Sequence, residues 1–369
     1  MMVGCGSASE EDIDLPVPPQ PGQETPIAFS GSLSEEGAVT RTDPTEPAGL
    51  ETVLPEGNKK FRVWAYKNPT TDSKQTVMGG YIVNWAQNTA YTTTSNTHDW
   101  EYVNQQTGND PTQTIKYWDW GVSAYRFFGY TGASNYDDVS GNPATIATVN
   151  VSGDPATITI SGIDATNPSG VPYFSRLWYH EPADDTFGKA VQLVFLQPIA
   201  RVRIIFTFVP ELIASNIGRD DLSDISFRPT NSEKNIAIGG TVTITYPLTN
   251  DTGTKESWSS GDGDATAFFD NPRGICIDSY KDNDDNWVNT WYNVLPRTSQ
   301  GTYTLSVVVS GGEPKTCIVP AEFMTWAPGY QYTYIFKITE TGGITLDNIQ
   351  VGINDWHMVE QITHPVHNW

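Results

Sequence analysis

The chain has 369 residues and a formal net charge of −22, with 43 acidic against 21 basic side chains. A polyanion of this kind is repelled by nucleic acid and by anionic membrane surfaces, so neither is expected as a direct partner. No run approaches the roughly 20 apolar residues that cross a bilayer as a helix, and the 12 Trp, 17 Tyr and 14 Phe, spread among 32 Gly and 25 Pro, point to an all-β chain with many turns.

The first feature is Met2-Val3-Gly4-Cys5, which resembles the end of a bacterial lipoprotein signal. A small residue ahead of the cysteine lets the signal peptidase reach the backbone, and the thiol takes the lipid. Cys5 is therefore expected to anchor the protein in the outer membrane; the plain alternative is a Gly-Cys pair near a frayed end. A full signal places basic and apolar regions ahead of the cysteine. Here four residues precede it, as a miscalled start or a truncated gene would leave them. Residues 6–24, "GSASEEDIDLPVPPQPGQE", combine small residues, acids and four prolines. That is the composition of a solvated, semi-extended tether, and acids just behind such a cysteine resemble the export signal of Bacteroidales surface lipoproteins.

From Ile27 onward the alternation is that of strands. "IAFSGSL" (27–33) puts Ile27, Phe29, Gly31 and Leu33 on one face, and "KKFRVWAYK" (59–67) puts Phe61, Val63 and Ala65 on one face with Arg62, Trp64 and Tyr66 on the other. "AYRFFGYTG" (124–132) and "ATITISGI" (156–163) follow. "AVQLVFLQPIARVRIIFTFVP" (190–210) reads as two strands, Val191, Leu193 and Phe195 before the Pro198 bend and Val202, Ile204 and Phe206 after it. Further strands are expected in 239–248, 301–312, 330–343 and 344–353, and a helical turn or two in 209–222. The polar segment 178–189, "WYHEPADDTFGK", is the candidate linker. The expected organisation is a tether over 1–24, an N-terminal β-sandwich over 25–187 and a C-terminal β-sandwich with its tail over 188–369, both antiparallel.

Candidate site residues are few. Cys276 and Cys317 lie in short apolar runs and are either a disulfide, as an oxidising cell envelope allows, or two separate thiols; spacing does not decide. Trp85, Trp100, Trp118, Trp120, Trp287 and Trp291 lie in or beside polar loops, where aromatic rings can stack on sugars or anchor a protein partner; the competing expectation is that they fill the sandwich interior. "DNDDNW" (282–287) starts like a calcium loop but has Trp287 where Gly is required and Asn293 where a bidentate Glu is required. No nucleophile elbow, P-loop or H-E-x-x-H pattern is present. No enzymatic activity, metal or cofactor is therefore expected.

The order of the segments resembles the fimbrillin family of Bacteroidales fimbrial subunits and related surface lipoproteins. The matching pieces are "IAFSGSLSEEGAVTR", "FRVWAYK", "KYWDWGVSAYRFFGYTG", "VQLVFLQPIARVRIIF", "YNVLPRT", "WAPGYQYTYIFKIT" and "ITLDNIQVGINDW". The resemblance implies two tandem transthyretin-like sandwiches and a structural or adhesive role as stalk, tip or anchor of a fimbria. In members that polymerise, a protease cuts after an arginine behind the first strand, and a strand donated by the next subunit fills the groove left open. Arg41 is the only Lys or Arg before Lys59 and is the candidate processing site; members that are not processed keep the strand. The donor would come from the C-terminal residues, where Trp356, Met358, Glu360 and Ile362 alternate only in part and Pro365 limits the ladder. The partners implied are other fimbrial subunits, the outer membrane through a lipid on Cys5, and host or bacterial surface glycans or proteins. A carbohydrate-binding surface lipoprotein is the alternative reading.

Overall fold

The computed structural model describes residues 24–33, 49–54, 56, 59–69, 74–85, 100–105, 112–131, 146–150, 155–165, 167–168, 171–217, 221–230, 237–247, 257–260, 275–276, 292–298, 301–339, 343–353 and 362–365. Alternating β-branched and aromatic residues form strands here because they fit a pleated surface buried on one or both faces. The first part of the chain contributes β1 (Phe29–Ser32), β2 (Lys60–Lys67), β3 (Gln75–Trp85), β4 (Trp100–Glu101), β5 (Tyr125–Thr131), β6 (Ile146–Asn150) and β7 (Ala156–Asp164). Then come β8 (Tyr173–Ser175), β9 (Trp178–His180), β10 (Val191–Leu196), β11 (Ala200–Phe208), the short helix α1 (Pro210–Ala214), β12 (Leu222–Pro229), β13 (Gly239–Tyr246) and β14 (Ser257–Ser260). The remainder gives β15 (Ile275–Cys276), β16 (Tyr292–Val294), β17 (Tyr303–Val309), β18 (Lys315–Val319), β19 (Tyr330–Ile338), β20 (Ile344–Ile353) and β21 (Ile362–Pro365).

An eight-stranded sheet in the order β1-β10-β8-β5-β2-β3-β4, with β9 also on β5, dominates the first half. Its inner face folds over on itself. Phe29 at one edge meets Phe61 of β2 and Tyr102, just past β4 at the other edge. The core enclosed there takes Phe61, Val63 and Ala65 from β2, Phe127 from β5 and Val191, Leu193 and Phe195 from β10. Trp64 and Tyr66 on the opposite face of β2 are buried too, because a four-stranded sheet, β14-β13-β7-β6, covers that side. The two layers are pinned by fully buried Arg126, which donates to the Tyr246 carbonyl at 2.5 Å and lies over the Phe128 ring.

The second core lies between the sheet β15-β11-β19-β20-β21, with β16 also on β11, and the three-stranded β12-β17-β18. Val202, Ile204, Phe206, Tyr334 and Phe336 pack there against Phe227, Tyr303, Leu305 and Val307. Trp326 Nε1–H donates to the Tyr334 hydroxyl at 2.8 Å, and that hydroxyl donates to the Phe323 carbonyl at 2.6 Å.

The fold class is all-β, as the sequence indicates, with layered sheets around apolar cores. Most ladders are antiparallel, but β1 runs parallel to β10, and β11 runs parallel to both β19 and β15. The segment 178–189 does not leave the first sheet: its first residues form β9 on β5, and β10, which follows it, pairs with β1 and β8. Pairing also crosses residue 187 elsewhere, since β7 aligns with β13 over residues 156–164 and 239–246. The chain leaves the eight-stranded sheet at Pro198, where the missing N–H ends β10 before β11 starts. The expected helical turn is α1, opened by Pro210 at its first position.

Candidate functional site

The segment that begins the described chain is held from both sides. Along β1, Phe29, Ser30, Gly31 and Ser32 stand opposite Val191, Gln192, Leu193 and Val194 of β10, and the Val191 N–H donates to the Ala28 carbonyl at 2.8 Å. On the other flank the Ile27 N–H donates to the Lys116 carbonyl at 2.8 Å, and the Trp118 N–H donates to the Thr25 carbonyl at 3.0 Å. Ser32 closes the end by bridging to Gly49. A strand of four residues would be marginal with a single neighbour; the bonds of Thr25 and Ile27 to residues 116–118 and the Ser32–Gly49 bridge extend its hold beyond β10.

Alternation does the rest. Ile27 and Phe29 are 0% exposed and Leu33 is 5% exposed. Burying side chains of this size contributes about 1.5–3 kcal/mol each. Phe29 sits edge-on to Phe61, Tyr102 and Phe127, with centroids 5.8–5.9 Å apart, the geometry that the ring quadrupole favours. Tyr102 supplies a polar latch: its hydroxyl donates to the Ile27 carbonyl at 3.0 Å and accepts from the Lys116 N–H at 3.0 Å. Burial pushes the Tyr102 phenol well above its ordinary range, so it stays a neutral donor. Gly31 faces Leu50, which sits in the single turn Leu50–Thr52 and is itself fully buried. The result is a slot with backbone partners on both edges and side-chain pockets at alternate positions, an arrangement suited to holding an extended peptide.

Of the residues singled out in the sequence, Cys5, Arg41, Trp287 and Trp291 lie outside the described residues. So does the side chain of Cys276, whose backbone pairs with Phe206. Cys317 is free and half-buried on β18, and burial raises its thiol pKa. Trp100 and Trp118 are 1% and 5% exposed. They are core fillers, the first on Phe61 and the second on Tyr125 and Phe187, and from those places neither ring face can stack on a ligand. Trp85 is half-buried with its ring against Trp100. Trp120 is exposed (39%), packed on Phe187 beside Gly188. Residues 362–365 of the C-terminal region form β21, an edge strand antiparallel to β20 that ends with Pro365 opposite Asn348.

Sequence reasoning missed Tyr102, Leu50 and the 116–118 flank. None carries a local signal, because each matters only through contact with a strand distant in the chain. His180 is the one histidine in a polar cluster among the described residues, but Asp184 and Thr186 approach the same nitrogen, Nδ1, at 3.0 and 2.9 Å. A catalytic relay uses opposite ring nitrogens, so this is a turn contact. Among the described residues no three or more His, Cys, Asp or Glu are grouped to hold a metal, and no helix is long and apolar enough to cross a membrane.

No family model and no curated protein matches the chain. Its fold is similar to several solved structures at low identity. A fimbrial protein from Bacteroides vulgatus is 13% identical over 92% of this chain and 99% of its own, with a TM-score of 0.40. A candidate cell adhesion protein from Bacteroides uniformis is 13% identical over 89% and 98%, with a TM-score of 0.39. A fimbrial assembly protein from Parabacteroides distasonis is 10% identical over 92% and 99%, with a TM-score of 0.35.

Proposed function

We propose that this chain is a fimbrillin-like surface lipoprotein, a non-enzymatic subunit held at the outer membrane through Cys5 and joined to other fimbrial subunits by strand donation. The observation that carries the reading is the placement of residues 25–33. They fill an apolar slot and are joined to the rest of the molecule only through residues 34–48, which contain a single basic residue, Arg41. A cut after Arg41 leaves this strand held by non-covalent contacts alone, and an incoming strand with similar alternation can replace it. Cys5, which also precedes Arg41, leaves with the displaced strand, so the lipid holds the subunit only until exchange. The order of strand motifs and the acidic tether behind Cys5 support the same reading.

Trypsin digestion of the lipid-free full chain tests it. The expected outcome is an early cut after Arg41, then uptake of a labelled peptide of residues 25–33 by the nicked protein, with the original fragment displaced. A nicked protein that takes up no strand peptide at any concentration rules strand exchange out.

A further inference from the structure

The slot is selective at one position, and the selectivity concerns the side of β1 that faces the core. Ile27 and Phe29 occupy deep pockets, but Gly31 does not mark a third pocket of that size. A Cβ built on Gly31 would lie 3.1 Å from Leu50 Cβ, 3.3 Å from Leu50 Cδ2 and 3.7 Å from Phe195 Cε2. Leu50 cannot easily give way: it is 0% exposed, and its turn is tied by backbone bonds from Thr52, Val53 and Leu54. Phe195 on the far side is 1% exposed and packed on Phe61. A methyl group at this position asks for shifts of a few tenths of an ångström; a branched or aromatic side chain has no space at all.

Leu50 follows Arg41 in the chain, so it stays with the body of the protein when the first strand is cut away. The constraint therefore belongs to the slot and applies to whatever strand enters it. Resting on the strand-exchange reading above, we infer that the slot accepts a strand of another protein that runs parallel to β10 and carries the pattern apolar–x–aromatic–x–Gly–x–apolar, with glycine at the place of Gly31. Residues 344–369 of this chain do not satisfy it: their one glycine is Gly352, and the residue two places earlier is Gln350, not an aromatic. A second copy offering its residues 344–369 is therefore excluded as the donor.

The test uses the full chain nicked after Arg41 and two labelled peptides, "TPIAFSGSL" and the same peptide with leucine at the glycine position. The glycine peptide is expected to bind at least about tenfold more tightly, the factor that overpacking by a large side chain produces. In the Leu50→Ala variant, which opens the wall, the discrimination is expected to collapse to within about threefold. Equal binding of both peptides to the unmodified chain overturns the glycine rule and leaves strand exchange standing; binding of neither overturns strand exchange itself. Filaments formed by the nicked protein alone, lost on deleting residues 354–369, overturn the exclusion of a second copy. In the uncut chain, Gly31→Leu is expected to lower the unfolding midpoint and Gly31→Leu with Leu50→Ala to recover at least half of the loss. An unchanged midpoint in the single variant overturns the steric basis of the rule.

Discussion

Two of the three apolar cores are built from similar strands but closed differently. In the second, β11, β19 and β20 face β12, β17 and β18, and among the described residues the side chains buried in that core lie between Ala200 and Ile349. In the first, the inner face of the eight-stranded sheet is covered in part by Ile27, Phe29 and Leu33, in and beside β1, whose ladder partner β10 starts at Val191. Among the described residues, one core thus draws its side chains from a single continuous stretch of chain. The other depends on a short piece contributed from far away, and such a piece can be exchanged without redesigning the rest. The lesson is that replaceability comes from topology, not from weak packing: Phe29 is as deeply buried as Trp326.

The sharpest way to break this contrast is to remove one aromatic ring from each core. Phe29→Ala and Trp326→Ala are each expected to cost about 3–5 kcal/mol in denaturant unfolding. Only the Phe29→Ala protein should regain stability when free peptide 25–33 is added, because a ligand that binds the folded state alone stabilises by mass action. Equal rescue of both variants, or of neither, would erase the distinction between the cores.

Alkaline pH probes both cores at once. Tyr125 in the first and Tyr332 in the second are each pushed up to about 12 by burial, against 10.0 for a free phenol. A raised folded-state pKa means that the unfolded chain gives up the proton first, so the stabilisation is complete below pH 10 and is lost as pH rises from 10 toward 12. A circular-dichroism titration should show unfolding in that window. Tyr125→Phe should move only the part of the transition that belongs to the first core.

The smallest effect belongs to the surface. Lys67 Nζ lies 2.7 Å from Asp119 Oδ2, and that contact, helped by the Gly121 N–H, holds the Asp119 carboxyl below its ordinary range. Its contribution is present above the ordinary carboxylate pKa and fades as pH falls through the lowered one. With the Asp119 side chain 44% exposed, Lys67→Ala should cost no more than about 0.5 kcal/mol at neutral pH, and less in high salt.

Much of this was legible in the residues themselves. The apolar face of 27–33, the inward face of 59–67 and the two strands around Pro198 all follow from period-two alternation. Alternation cannot say that Trp64 and Tyr66 are buried as well, because that depends on a second sheet built from residues more than 80 positions further on. β3 escaped detection because Gly79 and Gly80 break its pattern; Gly80 takes φ 82° beside a bulge, where its missing Cβ leaves room for the Trp64 ring. For the site, the occupant was readable and the container was not. Phe29 announces itself by spacing, whereas Leu50, Tyr102 and the 116–118 flank acquire their roles only when the chain is folded around them. The tryptophans misled for the opposite reason: polar sequence neighbours suggested exposure, but Trp100 and Trp118 turn inward.

The register of β1 also bears on how the molecule carries force. Tension arriving from the N-terminal side of Thr25 runs lengthwise along the strand, so the bonds to β10 and to the 116–118 flank share the load simultaneously. A pull across the sheet would part them one after another, like a zip. The strand therefore resists a pull along its own axis better than a pull across the sheet.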